Sequence, residues 1–334
     1  MAQSRVPLLS VTVLNYKYSR YLPSCLTSIL EQTFSDLEVV VIDDRSPDRS
    51  LDVIRPFLAD PRVRLIAHRE NAGFVRSLIE GTEASESRYL TVVSADDFVL
   101  SHRAFERQIA LLESDPAASF AYGAWRYVDV DDRLGAVVRP WRGDHIWSGE
   151  REFREVITRH YVLHTGTVIR RSAYRAAGGY DPEIKYTLDN TIWPLLACVG
   201  NVGYVDEPLF AYRTHGGNMS HSPTAIKATL NEFVRLVDRG FAALPECPTK
   251  HDRRLYRRAR QAALVSMATM HLFAGQRLGG WRALAYAARM SPFETLLQPR
   301  VLSLLVRTIV GRRGFEILRG VGSVARGRIR AAAS

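Results

Sequence analysis

Four short, mainly apolar runs separated by helical segments restrict the fold of this chain more than any other feature. They are Leu8–Leu14 (LLSVTVL), Leu37–Ile42 (LEVVVI), Val63–Ile66 and Tyr89–Val93. Each is short, β-rich and mainly apolar, as expected for a strand covered on both faces. Between the first two, Tyr21, Leu22, Cys25, Leu26, Ile29 and Leu30 recur at helical spacing. Ser19 stands upstream as a cap, and Pro23 falls in the first turn, where proline is tolerated. Glu70-Asn71-Ala72-Gly73 precedes another helix running to about Ala84. The first hundred residues therefore predict β-α-β-α-β-α-β, a parallel sheet with right-handed crossovers.

Two of these strands run directly into paired carboxylates. Leu37–Ile42 ends in Asp43-Asp44, and the run YLTVVSADDFV places Asp96 and Asp97 just past the fourth strand. In open α/β sheets the ligand crevice lies outside the carboxyl ends of the strands, where these acids fall. Adjacent carboxylate oxygens suit a hard divalent cation carrying a diphosphate, Mg²⁺ or Mn²⁺. The competing reading is structural: Asp96 or Asp97 caps a helix through Ala104–Leu112, Asp43 caps the turn that follows its own strand, and Asp44 faces water. No GxGxxG follows the first strand and no GxxxxGK[ST] occurs, which excludes a dinucleotide fingerprint and a Walker-type loop.

Beyond Leu112 the pattern is mixed. Ser119–Tyr122 and Trp125–Val130 read as strands, Asp131–Gly135 as a hairpin turn, and Glu150–His160 as a helix. Gly166–Ile169 reads as a strand and Gly178-Gly179 as a turn into Leu188–Val199, followed by a strand pair at Val202–Val205 and Leu209–Tyr212. From about Pro223 the chain reads as helical. Its charge divides at a similar place: residues 250–334 hold 17 Lys and Arg against three acids, a net +14, while residues 1–249 carry −4. Such asymmetry points to an anionic partner surface. Cys25, Cys198 and Cys247 show no metal-ligand spacing, which reads as reduced thiols. The N-terminus lacks the pattern of a secretory signal and no apolar run reaches about 20 residues, so a cytoplasmic protein is expected.

The residues then support a resemblance. LLSVTVLNYKYSRYLPSCLTSILEQTF, LEVVVIDDRSPD, RENAGFVRS, LTVVSADD, and GGYDPEIKYTLDN followed by YRTHGGNMS stand in the order seen in the family 2 glycosyltransferases, which this chain resembles over about Leu8–Ser220. The resemblance implies an α/β fold of GT-A type, a mixed sheet flanked by helices, followed here by a C-terminal helical region. With the helical character from about Pro223, this gives a catalytic domain at 1–222, with a nucleotide-sugar half at about 8–100 and an acceptor half at about 101–222, and a basic helical region at 223–334 that lies outside the resemblance. The implied activity is an inverting glycosyltransferase of hexosyl type that moves a sugar from a nucleotide-diphosphate sugar, UDP-sugar favoured, to a hydroxyl acceptor.

Carried onto matching positions, the resemblance sets Asp44, then Asp43, against the nucleobase, with Asn15 and Tyr16 in the first turn. Asn71 and Gly73 resemble the loop that closes over the nucleoside, and Arg76, one turn along the following helix, faces phosphate or base, with a solvated surface position as its alternative. Ser94 stands where the family's D-A-D-D has its first acid and would meet the ribose. Ala95 follows it, and Asp96 is the implied metal ligand with His215, for Mn²⁺ or Mg²⁺. Asp189, preceded by Leu188 where the family has Glu, matches the catalytic base; a helix cap is its alternative. Trp141, Trp147, His164 and Thr165 are candidates for the acceptor side. The basic, amphipathic tail suggests peripheral docking on the inner face of the cell membrane beside a lipid-linked or envelope-glycan acceptor. A soluble acceptor with helical self-association, such as a homodimer, is the rival. Nucleic acid is not expected, because no reading motif accompanies the charge. Two other functional readings remain, an inactive glycan- or membrane-binding scaffold and a sugar-phosphate nucleotidyltransferase; LNYKYSRY lacks the glycine-rich loop the latter needs.

Overall fold

The computed structural model describes residues 6–159, 161–184, 188–217, 252–273 and 277–292, with isolated positions at 232, 237–238, 240–242, 295 and 301. The chain forms two compact units, Met1–Leu255 and Tyr256–Ser334.

In the first unit, β1 (Leu9–Asn15), β2 (Leu37–Asp43), β3 (Val63–Ala67) and β4 (Tyr89–Ser94) pair in the order β3-β2-β1-β4, all parallel. Their apolar sequences follow from burial on both faces: all seven residues of β1 are buried. The crossovers are α1 (Leu22–Leu30), then a short α2 (Ser50–Ile54) with a 3₁₀ turn at Arg55–Ala59, then α3 (Phe74–Glu83). On α1, Leu22, Cys25, Leu26 and Ile29 face the sheet, and a proline in the first turn costs no hydrogen bond. The chain winds from β1 toward β3 on one side and returns to place β4 on the other. The switch point therefore lies between β1 and β4. Register aligns Asn15 with Asp43 and Leu14 with Ser94, so the carboxyl ends of three strands form one rim.

The sheet continues through antiparallel and parallel partners, reaching ten strands among the described residues in the order β3-β2-β1-β4-β9-β6-β10-β5. Here β5 is Phe98–Val99, β6 Ala118–Val128, β9 Val168–Arg170 and β10 Asn201–Arg213; β7 (Leu134–Val138) pairs with β6 and β8 (His145–Trp147) with β10. Helices α4 (Ala104–Ser114), α5 (Gly149–Val156), α6 (Arg171–Ala176) and α7 (Leu188–Val199) complete this half.

Two expectations change here. Ser119–Tyr122 and Trp125–Val130 are one strand, β6, because Gly123-Ala124 continues the ladder without turning. The last two strands are likewise one, β10: Asp206-Glu207-Pro208 is absorbed as register shifts between Val205, Pro208 and Phe210. Proline cannot donate to a ladder, and a bulge removes the need. The helix Leu188–Val199 falls where expected, while the turn expected at Asp131–Gly135 ends earlier, because Leu134 and Gly135 already belong to β7; Asp132 takes the left-handed conformation at φ 63°.

In the second unit, α8 (Arg253–Phe273, which begins in the first unit) and α9 (Arg277–Met290) pack through Val265, Ala268, Ala283, Leu284, Ala287 and Val301. No described helix is long and apolar enough to cross a membrane.

Candidate functional site

The rim made by β1, β2 and β4 is tied together by its own polar side chains. Asn15 Nδ2 donates to Asp43 Oδ2 (2.7 Å) and to Ser46 Oγ (3.0 Å), while Asp43 Oδ1 accepts from the backbone N–H of Ser46 (3.0 Å). Asp43 therefore does cap the following turn, as one alternative held. Asn15 is buried, and its Oδ1 has no partner among the described residues, which leaves an unsatisfied acceptor at the mouth of the switch point. Tyr16, next in sequence, is exposed.

Asp44 is not turned to water. It is buried and holds the loop before α3: Oδ1 accepts from Ala72 N–H (2.7 Å) and lies 2.8 Å from His68 Nδ1, and Oδ2 accepts from Gly73 N–H (2.9 Å). Asn71 Nδ2 donates to the Asp44 carbonyl (3.1 Å). Gly73, at φ 86°, then opens α3, with Arg76 exposed in its first turn. The expected nucleoside loop is thus a strapped loop, and Asp44 is its strap.

Past β4 the chain does not start a helix. β5 intervenes and α4 begins only at Ala104, so neither Asp96 nor Asp97 is its cap. The two acids instead face different ways. Asp97 is buried, its Oδ1 accepting from Arg213 N–H (2.8 Å) and its Oδ2 from Thr165 Oγ1 (2.6 Å). Asp96 Oδ2 points to His215 Nε2 at 3.0 Å, both side chains being 8% exposed. Burial raises the pKa of both carboxyl groups; for Asp97 the neighbouring Asp96 charge raises it further. Such a pair gains from a cation, which removes the cost of keeping the charge buried.

The donor set fits a divalent metal. Asp96 Oδ2 and His215 Nε2 stand 3.0 Å apart as a hydrogen-bonded carboxylate–imidazole pair, both donor types that divalent cations accept. Among the described residues no cluster of three or more His, Cys, Asp or Glu side chains could hold a metal. Further ligands would have to come from a diphosphate and water. Around His215 stand Tyr18 (5.6 Å, edge-on) and Tyr21 (5.4 Å, stacked), and Gly217 N–H donates to its Nδ1 (3.0 Å). The Tyr18 hydroxyl, bonded to Asp96, is held protonated far into the alkaline range, chiefly by burial and then by the Asp96 charge.

Arg213 was not anticipated from sequence. It is fully buried; Nε donates to the Asp96 carbonyl (2.7 Å), Nη1 to the Asp129 carbonyl (2.8 Å), and Nη2 pairs with Asp132 Oδ1 (2.7 Å). Its guanidinium also lies over the Tyr21 ring, 4.5 Å from the centroid. Arg213 precedes His215 by two residues in YRTHGG, and an arginine directly after the apolar run Leu209–Tyr212 was the available signal.

The acceptor candidates fall elsewhere. Thr165 is committed to Asp97, because an isolated bridge to Val92 brings it against the end of β4. His164 bonds Tyr180 Oη through Nε2 (2.9 Å), and burial pushes its pKa down to about 4. Trp141 Nε1 donates to Tyr122 Oη (2.9 Å). Trp147 has His145 stacked on one face (3.7 Å), so the Arg151 guanidinium, also 3.7 Å from its centroid, must take the other. Neither face is left for a sugar. Asp189 lies in the first turn of α7; its side chain is outside the described residues. Beside that turn a cavity of about 380 Å³ is lined by Gly178, Gly179, Tyr180, Asp181, Thr191 and Ile192 among others; it shares no lining residue with the Asp96–His215 pair.

Comparison with known proteins gives a consistent picture. The family model described as glycosyl transferase family 2 matches residues 10–178. An uncharacterized glycosyltransferase of Haemophilus influenzae is 27% identical over 220 residues, 64% of this chain and 68% of that protein. Escherichia coli chondroitin synthase is 28% identical over 65% of this chain, which spans only 30% of that enzyme. Among solved structures, S. aureus TarS in complex with UDP-GlcNAc superposes with a TM-score of 0.62 at 14% identity, covering 86% of this chain and 82% of that one. A mannosyltransferase from Pyrobaculum calidifontis in complex with GDP-Man and Mn²⁺ gives 0.55 at 16% identity, covering 92% and 88%. The mixed sheet flanked by helices is GT-A-like, as expected.

Proposed function

We infer, since the chain belongs to glycosyl transferase family 2 and is a glycosyltransferase, that it is an inverting enzyme taking a sugar from a UDP-sugar to a hydroxyl acceptor with Mn²⁺ or Mg²⁺ bound. The observation that carries this reading is the convergence of Asp96 Oδ2 and His215 Nε2 to 3.0 Å from positions 119 residues apart. They meet at the carboxyl end of β4, next to the switch point where α/β folds bind nucleotides. TarS with UDP-GlcNAc and the mannosyltransferase with GDP-Man and Mn²⁺ share this fold and lend support to donor class and metal.

In this reading Asp96 and His215 hold the cation, whose chemistry when bound is Lewis-acid stabilisation of a departing diphosphate. Asn15 Oδ1, an unsatisfied acceptor, and the buried Asp43 meet the nucleoside. Asp44 acts through the strapped loop, setting Asn71 and Gly73 over it, and Ser94 takes the ribose. Asp189 is the base that removes the acceptor proton as the hydroxyl attacks the anomeric carbon opposite the leaving group, a contribution of about 10²–10⁴-fold. The cavity against the first turn of α7 is the acceptor side. The acceptor is lipid-linked or a cell-envelope glycan, reached by docking of the basic C-terminal helices on an anionic membrane.

The test is donor binding and slow hydrolysis across UDP-, GDP- and dTDP-sugars, with and without Mn²⁺, for the wild type and Asp96→Asn. Metal-dependent release of UDP that the variant loses is the expected result. If no nucleotide sugar binds with metal present, the donor reading fails and an inactive scaffold takes its place.

A further inference from the structure

Among the residues described, exposed large apolar side chains gather on the β6–β7 hairpin (Tyr127, Val130, Leu134 and Val137), beside Asp131 and Asp132, and on α9. On α9, Leu278 (66% exposed), Trp281 (37%), Tyr286 (60%) and Met290 (37%) follow one another at intervals of three, five and four residues. Arg282 and Arg289 are exposed on the same face. The opposite side of the helix is spent on α8: Ala283, Leu284 and Ala287 are buried there, and a Cβ at Gly280 would come within 2.5 Å of Leu272 Cγ. That close approach fixes which face of α9 turns inward, and so which turns outward.

The charge on this helix pair is of one sign. Helices α8 and α9 together contain eight arginines and no Asp or Glu. A second copy of the chain laid on this face would bring Arg282 and Arg289 against their own equivalents with no acid on either helix to answer them, which is costly. Nucleic acid would use the arginines and leave Leu278 and Met290 idle. An anionic bilayer uses every group: apolar side chains enter the acyl boundary, Trp and Tyr sit at headgroup depth, and arginine heads reach phosphate. Fourteen residues make a helix about 21 Å long, suited to lying in the interface plane rather than crossing it.

The geometry points to the outward face of α9, with Leu278, Trp281, Tyr286 and Met290 spread across it and Arg282 and Arg289 along its midline, as the surface by which this protein lies on an anionic phospholipid leaflet. This rests on the membrane reading given above and names the face that carries it.

The experiment is co-sedimentation of the full chain with phosphatidylcholine vesicles and with vesicles containing 30% phosphatidylglycerol, a composition of about three in ten anionic lipids. The wild type is compared with Arg282→Gln/Arg289→Gln and Leu278→Ser/Trp281→Ser, and light scattering gives the mass of each. All four substituted positions are exposed, so circular dichroism and donor hydrolysis should match the wild type. The expected result is selective binding to the anionic vesicles. The Arg pair should weaken it about thirtyfold, at roughly 1 kcal/mol per basic residue, and the apolar pair tenfold or more. If the wild type binds anionic vesicles and both variants bind equally well, this face is wrong while membrane docking stands. If the wild type binds neither vesicle, both fall. A dimer that the apolar pair dissociates, without vesicle binding, would assign the face to self-association instead.

Discussion

Replacing Arg213 with methionine tests whether the site is organised from β10. The side chain is fully buried and makes two charge-assisted hydrogen bonds to carbonyls, those of Asp96 and Asp129, plus an ion pair to Asp132. Hydrogen bonds from a charged donor contribute about 1.5–3 kcal/mol each, and removing the buried guanidinium recovers part of that as relieved desolvation. The Asp132 carboxylate is 65% exposed and is simply rehydrated. The net loss is therefore about 2–4 kcal/mol, which for a unit of this size lowers Tm by about 4–16 °C. Asp132→Asn, which breaks only the exposed arm, should cost less than about 1 kcal/mol. The Asp96 carbonyl, once released, no longer fixes the carboxylate that faces His215, so Mn²⁺ affinity measured by calorimetry with UDP present should fall about 10–100-fold in Arg213→Met. Asp132→Asn should bind Mn²⁺ as the wild type does. Lysine at 213 would not restore the site, because it has no planar fork to reach two carbonyls and a carboxylate at once. A methionine variant that melts within 2 °C of the wild type, a shift of about 1 kcal/mol or less, with unchanged Mn²⁺ affinity, would refute the idea that Arg213 positions the pair.

Two further outcomes follow from single contacts. His164 has its pKa pushed from 6.5 to about 4, so between those values the unfolded chain takes up a proton that the folded chain refuses. Stability should decline as pH falls from 6.5 to 4, by roughly 3 kcal/mol at the bottom of the window, and His164→Gln should flatten that part of the urea-unfolding profile; an equally steep profile in the variant would be contrary. At Gly166, φ is 79° and a Cβ would stand 2.1 Å from Phe210 Cε1, so Gly166→Ala combines a left-handed alanine with overpacking and should lose about 2–6 kcal/mol in urea melts; a loss under about 1 kcal/mol would show that the ring yields freely.

The parallel half of the fold was legible because β1, β2 and β4 are buried almost throughout, which writes a mainly apolar signal, while β3 is only half-buried. Leu37–Ile42 predicted β2 to within one residue, and Tyr89–Val93 did the same for β4. The second half was less so. Asp206-Glu207-Pro208 carries every local mark of a turn, yet Glu207 is engaged by Arg107 and Ser101, and β10 runs straight through. Tertiary partners satisfied what the local sequence left open. The same cause bears on the aromatic residues: Trp141 and Trp147 stand in sequence as candidate sugar platforms, and only the fold shows that Tyr122 takes the Trp141 indole N–H and that His145 and Arg151 lie over the Trp147 ring.

For the site the division is between residues that end a strand and residues that hold those ends in place. Asn15, Asp43, Ser94 and Asp96 can be read from sequence because a carboxyl strand end is where an α/β sheet presents its chemistry. Thr165 and Arg213 cannot, since each matters only through what it reaches: Thr165 and the Arg213 backbone consume both oxygens of Asp97. That commitment decides how the acid pair works. With Asp97 fully bonded to the protein, Asp96 alone keeps an oxygen turned toward His215, so one carboxylate anchors the loop and the other is presented to the site. Two adjacent acids in a sequence thus become one carboxylate bonded through both oxygens to the protein and one that faces His215, and the difference is made by Arg213 of β10 and by Thr165, which is bridged to Val92; both lie far from the pair along the chain.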